Sequence, residues 1–142
     1  MQYPEGPLGG MDLGPGAGAQ GLAPLLVRPV RTDEVVHWDR LMVAHHYLGV
    51  RRLVGESLRY VAEQGGQWLA LLGWGSAAFK CAPRDRWIGW TPEQQWRRLR
   101  YVANNLRFLV LPDARRPNLA SQVLGANLRR LSRDWQAVFG HP

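Results

Sequence analysis

The residues best suited to binding chemistry lie between Leu106 and Arg130. There a strand-like run ends at Pro112, a short loop carries two arginines, and a helical pattern begins at once. The start of a helix presents unpaired N–H groups and the positive end of the helix dipole, which together attract phosphate. The candidate phosphate-binding residues are therefore Arg115, Arg116, Asn118, Leu119 and Ala120. The alternative is that Asn118 only caps a helix that packs on a sheet.

The basic residues suggest a second kind of chemistry. The chain has 18 Lys and Arg against 11 Asp and Glu, a formal net charge of +7, and every basic residue except Lys80 is Arg. Guanidinium groups pair bidentately with phosphate, so arginines of the two later helices are candidates for nucleic-acid binding. These residues are Arg97, Arg98, Arg100, Arg129, Arg130 and Arg133. The alternative is that these arginines only solvate helix faces, and that Arg stands in place of Lys because the genome is GC-rich.

A third set combines aromatic and charged side chains in two short segments. As candidate walls of a substrate groove, it comprises His45, His46, Tyr47, Arg84, Asp85, Trp87 and Trp90. Aromatic rings beside Arg can stack on a base or an adenine ring. The alternative, favoured because Trp is usually buried, is that Trp87 and Trp90 anchor a loop on the core while Asp85 pairs with a neighbouring Arg.

The histidines and the cysteine predict no metal site and no nucleophile. His45 and His46 are adjacent, so on a helix their side chains diverge by about 100° and cannot both face one ion. We interpret His45 as facing inward beside Tyr47, and His46 as facing outward. Cys81 is interpreted as a small buried thiol. As the only cysteine it cannot form an internal disulfide, which indicates a reducing, cytoplasmic compartment.

Strands and helices alternate in the predicted structure. The predicted elements are strand 25–31, a helix from Thr32 to about Tyr47, strands 57–64 and 67–74 around Gly65-Gly66, a helix from Thr91 to about Asn104, strand 107–111, and a helix from Asn118 to about Ala137. Pro29 places the first strand at a sheet edge, and the apolar run 69–74 predicts a central strand. The order β-α-β-β-α-β-α indicates the α/β or α+β class.

Helical spacing also predicts which faces are buried. In the helix after Thr91 the core residues are expected to be Trp96, Leu99 and Val102. In the last helix they are expected to be Ala120, Leu124, Leu128, Leu131 and Trp135.

Composition divides the chain into a tail and one domain. Residues 1–23 are rich in Gly and Pro and are predicted to be disordered, because they cannot bury enough apolar surface. The folded domain is expected to cover residues 24–142. No apolar run approaches the roughly 20 residues of a membrane-spanning helix, so we expect no membrane partner.

The loop before the last helix resembles the pyrophosphate-binding loop of the GNAT acetyltransferases. That family has Gln or Arg, two residues, Gly, one residue, and Gly or Ala; this chain has Arg115-x-x-Asn118-x-Ala120. The opening Val27-Arg28-Pro29-Val30, followed by Thr32-Asp33-Glu34, resembles the first strand and helix of that fold. The resemblance implies a GNAT-like mixed sheet flanked by helices, with acetyl-CoA as a candidate cofactor. Asn118 stands where the family has Gly, which lets the backbone approach the pyrophosphate closely.

A longer series of motifs resembles the DruA family, named for the Druantia anti-phage system. In chain order these are Trp38-x-x-Leu41-Met42-x-x-His45-His46-Tyr47-Leu48-Gly49, Trp68-Leu69-Ala70, Arg84-Asp85-x-Trp87-Ile88-Gly89-Trp90, Asn104-Asn105-x-Arg107-Phe108-Leu109, Asn118-Leu119-Ala120-Ser121, Arg129-Arg130-Leu131-x-x-Asp134-Trp135 and Gly140-His141-Pro142. The resemblance covers nearly everything from Val27 to Pro142. It implies a prokaryotic protein tied to phage defence or transposase-linked genes, with defence-system or transposase proteins as candidate partners.

The end of the chain bears on these expectations. DruA-like proteins usually continue past the Gly-His-Pro triplet, and in a GNAT-like fold the cofactor lies between the strand before the long helix and the strand after it. We therefore expect a C-terminally truncated domain with an incomplete cofactor wedge. Three hypotheses follow: a DruA-like protein that binds a nucleotide-like or acyl-CoA ligand, as a degenerate acyltransferase-like domain with or without catalysis; an Arg-rich nucleic-acid-binding module; or a non-functional truncated remnant.

Overall fold

The fold is a four-stranded sheet with a helix against each face. The structure is a computed structural model, and it describes residues 23–49 and 55–142. The strands are β1 (Leu26–Pro29), β2 (Ser57–Gln64), β3 (Gln67–Ser76) and β4 (Ala103–Val110), and each pairs antiparallel with the next. The α-helices of the described part are α1 (Val35–His45), α2 (Ala82–Ile88), α3 (Pro92–Arg98) and α4 (Leu119–Phe139). The predicted α/β (α+β) class is confirmed.

The hairpin between β2 and β3 has the predicted form. Gly65 and Gly66 make its turn with φ of +58° and +81°, a conformation in which glycine has no steric penalty. β2 has the predicted bounds, and β3 runs two residues past the predicted end. Residues 69–75 of β3 are all buried, so the prediction of a central strand covered on both faces is confirmed.

Successive residues of the central strands alternate between two cores. Toward α4 lie Tyr60, Ala62, Leu72 and Trp74, packed with Leu119, Val123 and Trp135 of that helix. Toward α1 lie Val61, Leu71 and Leu109, packed with Trp38 and Met42. The indole N–H of Trp38 also donates to the Tyr60 carbonyl oxygen over 3.1 Å, which fixes α1 on its face of the sheet.

The segment between β3 and β4 differs most from prediction. It contains the short helix α2, and α3 ends at Arg98 in a 3₁₀ turn over Leu99–Tyr101 instead of continuing to about Asn104. β4 consequently starts at Ala103, four residues before the predicted start of the strand. Trp96 was expected in the core but is 74% exposed, because α3 lies outside both cores.

The buried face of α4 is displaced from the predicted one. Leu119, Val123, Asn127 and Trp135 are buried, whereas Leu128 is 51% exposed. Asn127 is a polar residue on this buried face, so the spacing of apolar residues does not identify the face. The Oδ1 of Asn127 accepts a hydrogen bond of 2.6 Å from the indole N–H of Trp74, which offsets part of the cost of burying the amide, while Nδ2 has no partner among the described residues.

Two further findings concern the sheet and the helices. Within the described residues β4 pairs only with β3, and the sheet has no parallel pair of the kind a mixed sheet contains. None of the helices in ranges 23–49 and 55–142 is long and apolar enough to cross a membrane. Apart from Ala23, the predicted disordered tail lies outside the described residues.

Candidate functional site

The start of α4 has an unusual backbone. Asn118 occupies the N-cap position with φ of +61° and ψ of 4°, and its side chain makes no capping hydrogen bond. Asn118 therefore stands at the expected N-cap position, but its side chain does not form the capping hydrogen bond. A left-handed backbone is costly for most residues but tolerated by Gly and Asn. Asn118 is therefore one of the few residue types that adopt this backbone at low cost.

Amide groups of the first turn remain available. The Leu119 N–H donates to the Arg116 carbonyl over 3.4 Å, and helical bonding begins with Gln122 N–H to the Asn118 carbonyl over 2.9 Å. Between them, the N–H groups of Ala120 and Ser121 find no backbone carbonyl among the described residues. The Leu119 side chain is 1% exposed and packs in the core, so Leu119 anchors the helix and has no side chain to offer a ligand.

Arg115 and Arg116 lie together beside a cleft of about 370 Å³. Its lining combines the loop before α4 with the β2–β3 turn: Ala23, Gln64, Gly65, Gln67, Leu69, Asp113, Ala114, Arg115 and Arg116. Both arginines are exposed, and Arg116 Nη1 donates to Gln64 Oε1 over 2.7 Å. Asn118, Leu119 and Ala120 do not line this cleft. The predicted phosphate set is thus divided between the cleft and the adjoining helix start.

The arginines proposed for nucleic-acid binding are also divided. Arg97, Arg98 and Arg100 share one groove of about 470 Å³ with Trp96 and Tyr101. Arg97 additionally pairs with Glu93 over 2.7 Å, in an exposed contact one helical turn apart. Three of the six predicted residues are therefore brought together.

The other three arginines lie on α4 and differ in their surroundings: Arg129, Arg130 and Arg133. Arg129 and Arg133 are exposed. Arg130 instead donates from Nε to Asp134 Oδ2 and from Nη1 to the Val27 carbonyl, each over 2.6 Å. The hydrogen bond to Asp134 raises the pKa of Arg130. Arg130 therefore fastens α4 to β1, and its guanidinium group is already bonded.

The segment around Asp85 is a hydrogen-bonded hub. The carboxylate of Asp85 accepts from Arg84 Nε over 2.8 Å, from the Trp90 indole over 3.2 Å and from the Cys81 N–H over 3.1 Å. Desolvation raises the pKa of Asp85, but the hydrogen bonds from Arg84 and Cys81 outweigh it and the pKa is lowered. The predicted pairing of Asp85 with a neighbouring Arg is confirmed.

Trp87 does not anchor this segment on the core. It is 88% exposed, because the segment is helix α2 rather than a loop and Trp87 lies on its outer side. Trp90 is partly buried and is held by Asp85. The prediction is therefore wrong for Trp87 and correct for the Asp85 pairing.

The two histidines have the opposite orientation to that predicted. His45 is exposed, while His46 is partly buried and stacks on Tyr47 with 4.8 Å between ring centroids. The helix ends at His45, and His46 has an extended backbone, so helical facing does not apply to it. Desolvation, with a smaller contribution from the charge of Arg107, lowers the pKa of His46. No hydrogen bond or ring contact joins this segment to the Asp85 hub within the described ranges.

A pocket that no sequence motif indicated lies between β4 and α4 and has a volume of about 480 Å³. It is lined by Trp74, Arg100, Tyr101, Ala103, Leu128, Leu131, Ser132, Trp135 and Pro142. Beside it, His141 Nε2 lies 2.9 Å from Glu56 Oε2. The Gly-His-Pro triplet marked this position, but nothing in the sequence indicated its partner. Within the described residues no group of three His, Cys, Asp or Glu could hold a metal ion.

The comparisons with known proteins agree with the motifs. Residues 19–142 match the family model described as Druantia protein DruA. No curated protein and no solved structure matches the chain. The matched range includes every described strand and helix, together with the start of α4 and the groove of Trp96. The chain therefore belongs to the DruA family, whose name associates it with the Druantia anti-phage defence system.

Proposed function

We propose that this DruA-family protein binds a phosphate-bearing ligand of the nucleotide or acyl-CoA type at the start of α4. One observation carries the proposal: the Arg115-Arg116 pair directly precedes a helix start whose Ala120 and Ser121 N–H groups lack carbonyl partners in the described structure. Guanidinium groups and first-turn amides are the donors that bind pyrophosphate in proteins.

The cleft supplies room for the rest of such a ligand. Its volume of about 370 Å³ lies within the usual range for small-molecule sites. Arg116 must exchange its bond to Gln64 for one to phosphate. That exchange is favourable, because a charge-assisted bond to an anion is stronger than one to a neutral amide. Asp113 also lines the cleft and favours ligands whose phosphate stays on the arginine side.

A GNAT-like scaffold is part of the same proposal. Four antiparallel strands in sequential order, with a long helix after the loop that follows β4, support it. The sheet has a register shift at Gly73 and Trp74, where Leu106 of β4 has no opposite residue. Within the described residues the outer side of β4 carries no strand, so an elongated ligand could extend along it from the start of α4.

Isothermal titration calorimetry on the full chain tests the proposal with acetyl-CoA, ATP and inorganic pyrophosphate. We expect at least one of them to bind at a single site. Arg115→Ala and Arg116→Ala should each weaken binding about ten-fold or more, since charge-assisted hydrogen bonds are lost.

Arg133→Ala is the matched control, because it removes the same charge from an exposed position near the far end of α4. Its affinity should stay within about two-fold of the parent value. Failure of all three compounds to bind, or an equal loss in the control, would contradict the proposal.

A further inference from the structure

The segment between β3 and β4 exposes aromatic rings among arginines. Residues 77–101 hold six basic and two acidic side chains. Four of its aromatic residues are about half exposed or more: Phe79 50%, Trp87 88%, Trp96 74% and Tyr101 49%. Several large apolar side chains exposed within one segment are unusual, and exposed apolar patches mark interaction sites.

Two of these rings, those of Trp96 and Tyr101, border the groove described above, whose other walls are arginines. The edge-to-face contact with Phe79, at 6.0 Å between centroids, supports one side of Trp96. Tyr101 is held by Arg100, whose Nη2 donates to its hydroxyl over 2.6 Å and whose guanidinium carbon lies 4.8 Å from the ring centroid. The rings are therefore positioned before any partner arrives.

We infer that this groove binds single-stranded nucleic acid, with a base stacked on Trp96 and phosphates paired with Arg97 and Arg98. Every base has a face that can stack on an aromatic ring, and basic side chains beside the rings follow the phosphate backbone. A duplex fits less well, because its bases are already stacked on each other. The inference rests on residues separate from the ligand site at the start of α4.

Charge favours nucleic acid over a protein surface here. The lining contains three arginines and no carboxylate. Glu93 lies nearby, but its pair with Arg97 is about three-quarters exposed on both sides, so it can open at little cost. A protein partner would have to supply several carboxylates as well as apolar contacts.

Fluorescence anisotropy with dye-labelled dT20, rU20 and a 20-base-pair duplex tests the inference on the full chain. We expect both single strands to bind more tightly than the duplex, and the tighter of the two indicates whether DNA or RNA is preferred. The two phosphate contacts of Arg97 and Arg98 predict a salt slope near −1.4, so affinity should fall about seven-fold between 50 and 200 mM salt.

Matched variants separate the groove from general basic charge. Trp96→Ala should weaken single-strand binding about ten-fold, while Trp87→Ala, which removes an exposed ring outside the groove, should leave it unchanged. Arg98→Gln should reduce the salt slope by about 0.7, and Arg40→Gln on α1 should not. Each is a surface variant, and circular dichroism checks that it folds.

Several results would overturn the inference. Equal effects of Trp96→Ala and Trp87→Ala, or of Arg98→Gln and Arg40→Gln, would reduce the binding to unspecific attraction. Duplex binding as tight as single-strand binding would remove the role of stacking. Displacement of dT20 by polyglutamate at equal charge concentration would indicate an acidic protein partner instead.

Discussion

Replacing Arg28 with Met is expected to destabilise the fold by about 2–3 kcal/mol at neutral pH. Arg28 on β1 joins two carboxylates from separate elements. It donates to both oxygens of Glu34 over 2.8 Å and to both oxygens of Glu63 over 3.0 Å. The three side chains are 12–18% exposed, so water screens them only partly.

The size of this destabilisation depends on the hydrogen-bond partners that each carboxylate retains without Arg28. Glu34 retains Arg31, which donates from Nη2 over 2.6 Å and from its backbone N–H over 2.9 Å. Glu63 keeps no cationic partner among the described residues. Breaking a fully buried pair costs about 3–5 kcal/mol, and the remaining bonds of Glu34 and the partial exposure reduce that figure.

Chemical denaturation at several pH values measures the effect. The hydrogen bond from Arg28 is the main reason that the pKa of Glu34 is lowered from 4.5 to about 2. A carboxyl with a lowered pKa contributes stability that is present above about pH 4.5 and is lost as the pH falls toward 2. The difference between the parent and Arg28→Met should therefore shrink across that window. At neutral pH the melting temperature should fall by about 10 °C.

Arg31→Met is the matched control. It removes a cation from the same carboxylate, but Arg31 is 64% exposed, so the cost should stay below about 1 kcal/mol. A cost for Arg28→Met no larger than the control's, or an unchanged difference between pH 7 and pH 2, would refute the reasoning.

Three further substitutions test other parts of the structure. Asn127→Ala should cost about 2 kcal/mol in denaturant unfolding, because the buried Trp74 indole loses its acceptor; no loss would contradict the bond. Asn118→Ala should cost about 1 kcal/mol while Asn118→Gly costs little, since only Ala is strained at a φ of +61°; equal costs would argue against that backbone. Tyr60→Phe should cost about 1 kcal/mol, because the hydroxyl loses its 3.0 Å bond to Asp134, and thermal melting that is unchanged would show the bond contributes nothing.

Much of the fold could be predicted locally. The Gly65-Gly66 pair and the flanking strand patterns predicted the hairpin and its turn, because turn geometry and side-chain alternation are local properties. The register shift between Ala62 and Glu63 was not predicted. The run Thr91-Pro92-Glu93-Gln94 is a local helix-start pattern, and Thr91 caps α3 accordingly: its side chain accepts from the Gln94 N–H, and the Gln94 side chain accepts from the Thr91 N–H. The candidate loop at the start of α4 was likewise placed between a strand and a helix correctly.

Exposure in the β3–β4 segment could not be predicted in this way. Trp is a residue type usually found in the core, yet Trp87 and Trp96 are both exposed, because the two short helices lie outside both hydrophobic cores. Asn is a residue type usually found on the surface, yet Asn127 is buried against Trp74. In each case the outcome depends on how elements distant in the sequence pack.

The α/β class, the hairpin, the long final helix and the family motifs can be read from the amino-acid sequence, since each depends on residues close together in the chain. Packing places Arg130 against Asp134 and Val27, and it brings Arg97, Arg98 and Arg100 into a groove with two aromatic rings. These contacts cannot be read from the sequence, because a guanidinium group offers the same donors everywhere. Whether they meet a carboxylate, a carbonyl or solvent depends on how the elements pack.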